Sequence, residues 1–454
     1  MRPFRILSLL AICLSVAAIT GREAAAAQEE QARVVLSLED AVKIGMQRNR
    51  TLEIARLDRR MAGQKIRESW AEVLPHISSG LSYTRTLKPT VLYIPSMSPN
   101  PIPISSDNSS VASVNVSQNI FKLSAIAGIR AASLVRKISD ESYRQSGAEV
   151  VTSIRKAYYD ALISAEKLKL VAQSISRWEA ARKDTNALFR QGVAADIDTL
   201  KAYLSVENLR PEFIRAKSDV SIASTRLKSV MGLDQETGIA LSDSLAFRDG
   251  KFPGDVAAAF AEALEKRPDV RSLSLQLEAE GEKVTAARSE GLPTLGAFGQ
   301  VQAQTQFNDG TPVDRSRWPV SSTVGLQLSV PIFSGFATSA RIEEAKISRL
   351  QTRTRLEELK AQVRADVEVR LANLAESRRR IEVQSRTVGV AERSYRITRL
   401  RLREGVGSRL ELTDAELQLN TAKTNYLQAV YDYLMASAEM ERSLGRISPG
   451  EGGS

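Results

Sequence analysis

The sequence predicts a mainly α-helical protein with a small β part, built from two copies of one structural unit. Three observations support this prediction. Pro and Gly are sparse, at 15 and 25 among 454 residues, which is typical of long helices with few interruptions. Short segments of alternating apolar and polar residues separate the helical stretches. The same order of elements occurs twice along the chain.

The composition argues against most classes of enzyme. The chain has a single His, His76, and a single Cys, Cys13, so paired His or Cys metal sites and most acid-base catalysis near neutral pH lack the residues they need. We therefore expect no enzymatic activity, no cofactor and no metal site. The 63 basic residues are interleaved with 53 acidic ones, a pattern that favours solvated helix faces over a nucleic-acid partner.

The N-terminus has the layout of a secretory signal peptide over residues 1–27. Arg2 and Arg5 precede an apolar run over residues 6–19, and four Ala residues end at Ala27. The run is shorter than the roughly 20 residues that span a bilayer, so an uncut anchoring helix is the less favoured alternative. Cys13 lies inside the run, and the mature chain would contain neither cysteine nor disulfide.

The two copies are recognised by matched sequence pairs. The Leu-Pro at 74–75 recurs at 292–293, and Phe-Arg-Gln-Gly-Val at 189–193 matches Leu-Arg-Glu-Gly-Val at 402–406. The first repeat is predicted over residues 28–250 and the second over 251–446, followed by a disordered tail at 447–454.

Within each repeat the helices follow in one order. A short helix (38–46; 256–265) precedes one of about 22 residues (52–73; 270–291), which Pro75 or Pro293 stops. A strand pair and a long helix (124–190; 339–403) come next. A turn at Gly192 or Gly405 then reverses the chain into a helix of about 37 residues. The lengths predict antiparallel coiled coils in which two shorter helices pair with one long one.

The strand pairs are predicted at about 76–87 and 110–121, and at about 294–306 and 322–333. Apolar Val324, Leu326 and Leu328 alternate with polar residues, and the lengths are close to the roughly 9–11 residues of a membrane-crossing strand. A soluble sheet packed on helices is the alternative. Four strands are too few for a barrel, which needs about eight, so a barrel would be shared between chains.

The duplicated order, together with the segment from Tyr395 to Gly407 and Leu-Thr-Asp-Ala at 412–415, resembles the TolC-like outer-membrane efflux proteins. The resemblance implies a homotrimer with a 12-stranded outer-membrane β-barrel, four strands per chain. A long antiparallel α-helical coiled-coil barrel would continue it through the periplasm. Such a channel is the exit duct of a tripartite efflux or type I secretion system. A soluble periplasmic coiled-coil adaptor or structural protein is the alternative.

The same resemblance implies the partners and the cell compartment. The duct would lie in the outer membrane, in contact with its lipid, with a periplasmic extension. It would bind a periplasmic adaptor (membrane fusion) protein and receive substrates from an inner-membrane pump of RND, ABC or MFS type.

The resemblance also points to residues at the two helical tips. Gly192, Val193 and Ala194, with Gly405, Val406 and Gly407, resemble the tips that contact the adaptor, although both leading glycines would cap helices in any case.

Asp198, Glu411 and Asp414 resemble the acidic residues that narrow the periplasmic entrance. Lys201, at the position that matches Asp414, lowers the symmetry between the repeats. A capping box from Ser408 to Glu411 is the competing interpretation of Glu411. Basic residues around the second tip are candidates for holding it closed, with solvated charge as the alternative: Arg399, Arg401, Arg403 and Arg409.

Overall fold

The computed structural model describes residues 34–88, 90–93, 96, 99–310 and 317–447. The predicted signal peptide, residues 1–27, lies outside the described residues, and so do residues 448–454 of the predicted tail. Ile447, the first residue of that tail, is buried against Ala148 and Val151, so the prediction of disorder is wrong at this residue. The described residues form two compact units. One contains residues 34–56, 142–268 and 360–447, and the other contains residues 57–141 and 269–359.

The first repeat begins with a short strand and two helices, continues through four strands and a helical hairpin, and ends in a short strand. Its elements in chain order are β1 (Val34–Leu36), α1 (Leu38–Arg48), α2 (Arg50–Ala71), β2 (His76–Arg85), β3 (Val91–Leu92), β4 (Ile102–Pro103), β5 (Asn108–Phe121), α3 (Leu123–Arg190), α4 (Asp196–Glu207), α5 (Arg210–Met231) and β6 (Ile239–Leu241).

The second repeat has the same core order with fewer small strands. Its elements are α6 (Val256–Lys266), α7 (Pro268–Ser289), β7 (Thr294–Phe307), β8 (Val320–Ser329), α8 (Ala337–Arg403) and α9 (Arg409–Ser443). The mainly α-helical class, the small sheet and the internal duplication are therefore confirmed.

Four of the strands form one antiparallel sheet in the order β2-β5-β7-β8. Its register places apolar side chains on one face: Val114 is opposite Val301, and Ala297 is opposite Leu326. The other face is polar, since Asn115 is opposite Gln300 and Gln300 is opposite Thr323. Side chains from Gln300 to Gln304 are linked by amide hydrogen bonds along β7. The sheet thus has two chemically distinct faces, as the alternation predicted.

The sheet differs from the prediction at one end. Strand β8 stops at Ser329, whereas the alternating pattern continued to Phe333. Pro331 follows the end of the strand and has no N–H to donate to a ladder. The predicted polar loop after β2 also contains a small antiparallel strand pair, β3 with β4, in which Leu92 is opposite Ile102.

The returning helix of the first repeat is broken, so the prediction of one 37-residue helix is wrong there. Helix α4 ends at Glu207 and α5 begins at Arg210. Pro211 is the cause, because it lacks the N–H that would bond to the carbonyl of Glu207 and its ring crowds that carbonyl. The second repeat has no Pro at this position, and α9 is continuous over Arg409–Ser443.

Both hairpins end against the start of their own repeat. Gly232 follows α5 with φ of +72°, and Gly445 follows α9 with φ of +69°. A Cβ on Gly232 would lie 2.4 Å from the carbonyl oxygen of Arg48, and one on Gly445 would lie 2.7 Å from the carbonyl carbon of Lys266. The returning helix of each hairpin therefore abuts the junction of the two shorter helices, as the helix lengths predicted.

A parallel strand pair was not anticipated from the sequence. Strand β1 pairs with β6, and Leu36 is opposite Leu241. The buried Tyr158 hydroxyl donates to the Leu36 carbonyl and to the Asp243 carboxylate. Burial is the main cause that raises the pKa of Tyr158, so this phenol remains a hydrogen-bond donor. These contacts fasten the beginning of the first repeat to its last strand and to α3.

In the part of the chain that the structure describes, no helix is long and apolar enough to cross a membrane.

Candidate functional site

The two hairpin tips have the same backbone structure. Gly192 and Gly405 adopt φ of +71° and +77°, the left-handed conformation that favours glycine. At the first tip the N–H of Val193 donates to the Leu188 carbonyl over 3.0 Å, and at the second the N–H of Val406 donates to the Arg401 carbonyl over 3.0 Å. These are Schellman motifs, which end a helix and turn the chain.

The second tip is the tighter of the two. A Cβ on Gly407 would lie 2.8 Å from the backbone nitrogen of Leu402, too close for any side chain. The matching residue of the first tip is Ala194, which has a Cβ. Val193 and Val406 are exposed at the ends of the tips, so each of these apolar side chains contacts little of its own chain.

Asp198 lies at the start of α4, where its carboxylate accepts the backbone N–H of Ala195 over 3.3 Å. This hydrogen bond satisfies one of the free N–H groups at the helix start, and a carboxylate at this end also interacts favourably with the helix dipole. Ala195 is the N-cap residue and has no side-chain hydrogen-bond acceptor. The Asp198 carboxylate therefore supplies the side-chain hydrogen bond that caps this helix.

Glu411 forms an ion pair across the second tip, with its carboxylate 3.4 Å from Arg401 Nη1. Arg401 also donates through Nη2 to the Val406 carbonyl. The predicted capping box is not what the structure has: Ser408 Oγ accepts from the N–H of Leu410 rather than from that of Glu411. Asp414, one turn further along α9, is exposed and has no hydrogen bond or ion pair within the described part of the chain.

Arg409 joins the second tip to the first repeat by donating to the Thr185 hydroxyl of α3. Burial lowers the pKa of Arg409, and the nearby Asp198 carboxylate opposes that shift. Its Nη2 is buried without a hydrogen-bond partner among the described residues. Arg399 and Arg403 are exposed on α8. Of the predicted basic residues, the structure therefore gives internal partners to Arg401 and Arg409.

A buried polar network that the sequence did not reveal lies two turns past the tip. The Glu416 carboxylate accepts from Arg177 Nε over 2.8 Å and from Ser174 Oγ over 3.1 Å. Arg177 also donates to Asn420, which in turn donates to Ser174. The sequence contained one signal of this network: Glu416 is a charged residue that lies between Leu412 and Leu419 on the apolar stripe of α9.

These contacts define what the tips can do. Charged and hydrogen-bonded links join α9 to α8 through Arg401 and to α3 through Arg409 and Arg177. Each link can break and reform without a covalent step, and each depends on charge. Such an arrangement suits a conformational change controlled by electrostatics.

Comparison with known proteins gives the family. The family model described as "Outer membrane efflux protein" matches residues 44–233 and 259–446, one segment in each repeat. The alkaline protease secretion protein AprF of Pseudomonas aeruginosa is 24% identical over 335 residues, which are 73% of this chain and 69% of AprF. The outer membrane protein TolC of Escherichia coli is 22% identical over 412 residues, which are 88% of this chain and 80% of TolC.

The crystal structure of the CmeC outer membrane channel of Campylobacter jejuni has the same fold. It aligns with a TM-score of 0.76 and 17% identity, over 91% of this chain and 87% of CmeC. The family model covers most of both repeats and confirms the resemblance carried by the duplicated helices, strands and tips. The chain belongs to the outer membrane efflux protein family, a family of channels rather than enzymes.

Proposed function

We propose that three copies of this outer-membrane exit duct protein assemble into one channel, with their sheets closing a shared 12-stranded barrel. The observation that carries the proposal is the two-faced sheet with open edges. Its apolar face is exposed, including Ile77, Leu81, Val324 and Leu326. Its edge strands β2 and β8 have no further strand partner within the described residues.

A sheet of this kind is stable in a membrane only when its edges are closed, because unpaired backbone groups in lipid cost several kcal/mol each, of the order of 2–7. Four strands cannot close, whereas twelve can. The apolar face would then contact outer-membrane lipid, and the Gln, Ser and Asn side chains would line a wet interior.

The tips would dock the periplasmic adaptor protein. Val193 and Val406 are exposed at the apex of rigid turns, so they can enter a partner groove without reorganising the hairpins. The adaptor would link the duct to an inner-membrane pump of RND, ABC or MFS type. The relative named for alkaline protease secretion favours a type I secretion partner, and the relatives named as efflux pump components favour efflux.

Asp198, Glu411 and Asp414 would form the constriction at the periplasmic entrance. In a trimer each carboxylate occurs three times around the axis, so cations would be attracted and like charges would repel one another. The Arg401–Glu411 and Arg409–Thr185 contacts would hold the tips closed until the partner proteins bind.

Planar-bilayer recording tests the duct and the gate together. Protein extracted from membranes with detergent should form ion-conducting channels of low open probability. Glu411→Ala and Asp414→Ala should reduce block by divalent cations, and Arg401→Ala should raise the open probability. Arg399→Ala is the matched control on the same helix. A protein that is soluble without detergent and forms no channels would contradict the duct, and unchanged block and conductance in the variants would contradict the gate.

A further inference from the structure

We propose that Phe298 is a cargo-binding platform on the polar face of the sheet, where it retains apolar and aromatic groups whatever the charge of the molecule that carries them. This inference rests on the proposed duct, in which the polar face lines the barrel interior. It names the chemical class that this part of the duct binds, which is molecules with an apolar ring and a charge of either sign.

The polar face consists of every second residue of the four strands. Its members run from His76 to Thr84 in β2, from Ser109 to Asn119 in β5, from Thr294 to Gln306 in β7 and from Ser321 to Ser329 in β8. The register pairs these residues only with one another. They therefore share one side of the sheet.

The polar face has no charged residue in these four strands, all of which the structure describes. Asp, Glu, Lys and Arg make up 26% of the chain, yet none of them occurs on this face. His76, at the start of β2, is its one titratable side chain. Most of the others are Ser, Thr, Asn or Gln, which form hydrogen bonds without carrying charge.

The absence of charge in these strands determines how the barrel would treat its cargo. In an assembly of several copies, a charged side chain would occur once per copy in a ring around the axis. Such a ring attracts cargo of one sign and repels cargo of the other. A lining made of amides and hydroxyls does not sort by charge, so cations and anions would meet the same wall.

Phe298 is the only aromatic residue on the polar face of the four described strands. Its neighbours in register are Ser117 on β5 and Gly325 on β8. Val111, the other large apolar residue of this face, lies towards the far end, opposite Gln304. Phe298 is therefore an isolated apolar site in a polar lining.

The ring of Phe298 reaches across to β8. A Cβ on Gly325 would lie 2.7 Å from the ring Cζ and 2.9 Å from Cε1. The ring thus occupies the space that a side chain at position 325 would need. This contact has a structural role, because an aromatic side chain opposite a glycine covers the strand backbone.

The contact with Gly325 leaves part of the ring free. Phe298 is 42% exposed, and the next residues of β7 on the same face are Gly296, which has no side chain, and Gln300. An apolar group that meets the exposed part of the ring leaves water. An aromatic group also stacks on it, which strengthens binding by roughly two- to tenfold.

Thiol modification tests whether the lining is free of charge. In a Cys13→Ala background, Gln300→Cys places one thiol two residues from Phe298, about 7 Å along the strand. In outer membranes, a cationic and an anionic methanethiosulfonate should modify this thiol at rates whose ratio, normalised to a free thiol, is within about twofold of one. Adding Gln302→Glu should raise the ratio, whereas adding His76→Gln should not change it. A ratio about tenfold away from one without these additions would overturn the charge-free lining.

Aromatic reagents test the platform itself. A benzyl methanethiosulfonate should modify Gln300→Cys about fivefold faster than a propyl one after the same normalisation, because Phe298 holds the benzyl group near the thiol. Phe298→Leu still covers Gly325 but has no ring, so the benzyl preference should disappear while the cationic-to-anionic ratio stays the same. Phe298→Tyr should keep the preference. A benzyl preference that is as large in Phe298→Leu, or absent with Phe298 in place, would overturn the platform.

A cysteine on the apolar face separates this inference from the duct. Val301→Cys should resist both charged reagents, because that face would contact lipid. Charged reagents that modify Val301→Cys as fast as Gln300→Cys would contradict the duct and the inference together. A reactive Gln300→Cys and a protected Val301→Cys without any benzyl preference would overturn the inference alone and leave the duct standing.

Discussion

Removal of the Arg177 guanidinium tests the buried network most sharply. The Glu416 carboxylate is 2% exposed in the native protein, and Arg177→Ala would remove its charged partner. Loss of one member of a buried ion pair costs about 3–5 kcal/mol. Ser174 and Asn420 would still donate hydrogen bonds to Glu416, and the Arg177 side chain is 22% exposed. We therefore expect the lower end of that range.

A cost of about 3 kcal/mol corresponds to an increase of roughly a hundredfold in the local opening equilibrium. Amide hydrogen exchange followed by mass spectrometry measures it directly, because peptides covering residues 170–180 and 412–420 report opening of this part of α3 and α9. Those peptides should exchange about a hundredfold faster in Arg177→Ala.

Two further variants control the measurement. Lys169→Ala removes an ion pair with Glu166 whose lysine is 65% exposed, and a surface pair of this kind is worth at most about 1 kcal/mol. Arg177→Met combined with Glu416→Leu removes both charges and should restore slow exchange. Exchange in Arg177→Ala no faster than in Lys169→Ala would refute the reasoning, as would a double variant as fast as the single one.

Two other predictions concern the hairpin ends and acid stability. Gly445→Ala should lower the midpoint of thermal unfolding more than Gly405→Ala. Both positions have positive φ, but a Cβ at Gly445 would meet the Lys266 backbone, whereas a Cβ at Gly405 has open space around it. Equal shifts of the midpoint in the two variants would contradict this prediction. The hydrogen-bonded Arg446 guanidinium lowers the pKa of Glu262 from 4.5 to about 2. The lowered pKa means that this carboxylate stabilises the fold above pH 4.5 and that its contribution is lost as the pH falls towards 2. Unfolding of the native protein and Glu262→Gln, measured between pH 7 and pH 2, should show a stability gap that closes over that interval; a gap that is constant with pH would contradict the assignment.

Much of the fold was predictable because local signals decide it. The hairpin tips follow from Gly192 and Gly405, because the left-handed turn favours glycine, and the sheet follows from strict alternation of apolar and polar residues. The helix–strand boundaries at Pro75 and Pro293 follow from the missing N–H of proline.

Other features depend on contacts between distant parts of the chain. The parallel pairing of β1 with β6 joins residues about 200 positions apart, and three-residue strands carry no periodic signal. The break before Pro211 was visible in the sequence but was outweighed by the helical pattern on both sides. Features that local sequence propensity decides could therefore be predicted, whereas those that depend on packing between distant residues could not.

The candidate site shows the same division. Asp198, Glu411 and Asp414 were singled out by resemblance, but only coordinates reveal that Glu411 pairs with Arg401 rather than closing a capping box with Ser408. The Arg177–Glu416 network could not be derived, because its members are 239 positions apart. A charged residue on an apolar stripe signals an unknown partner without identifying it.

The number of chains in the assembly tests the central claim most directly. Native mass spectrometry of the protein extracted from outer membranes in detergent should give a single species of three chains that persists when the detergent is exchanged. A protein recovered as one chain without detergent would contradict the account, because a four-stranded sheet with two open edges cannot form a channel alone.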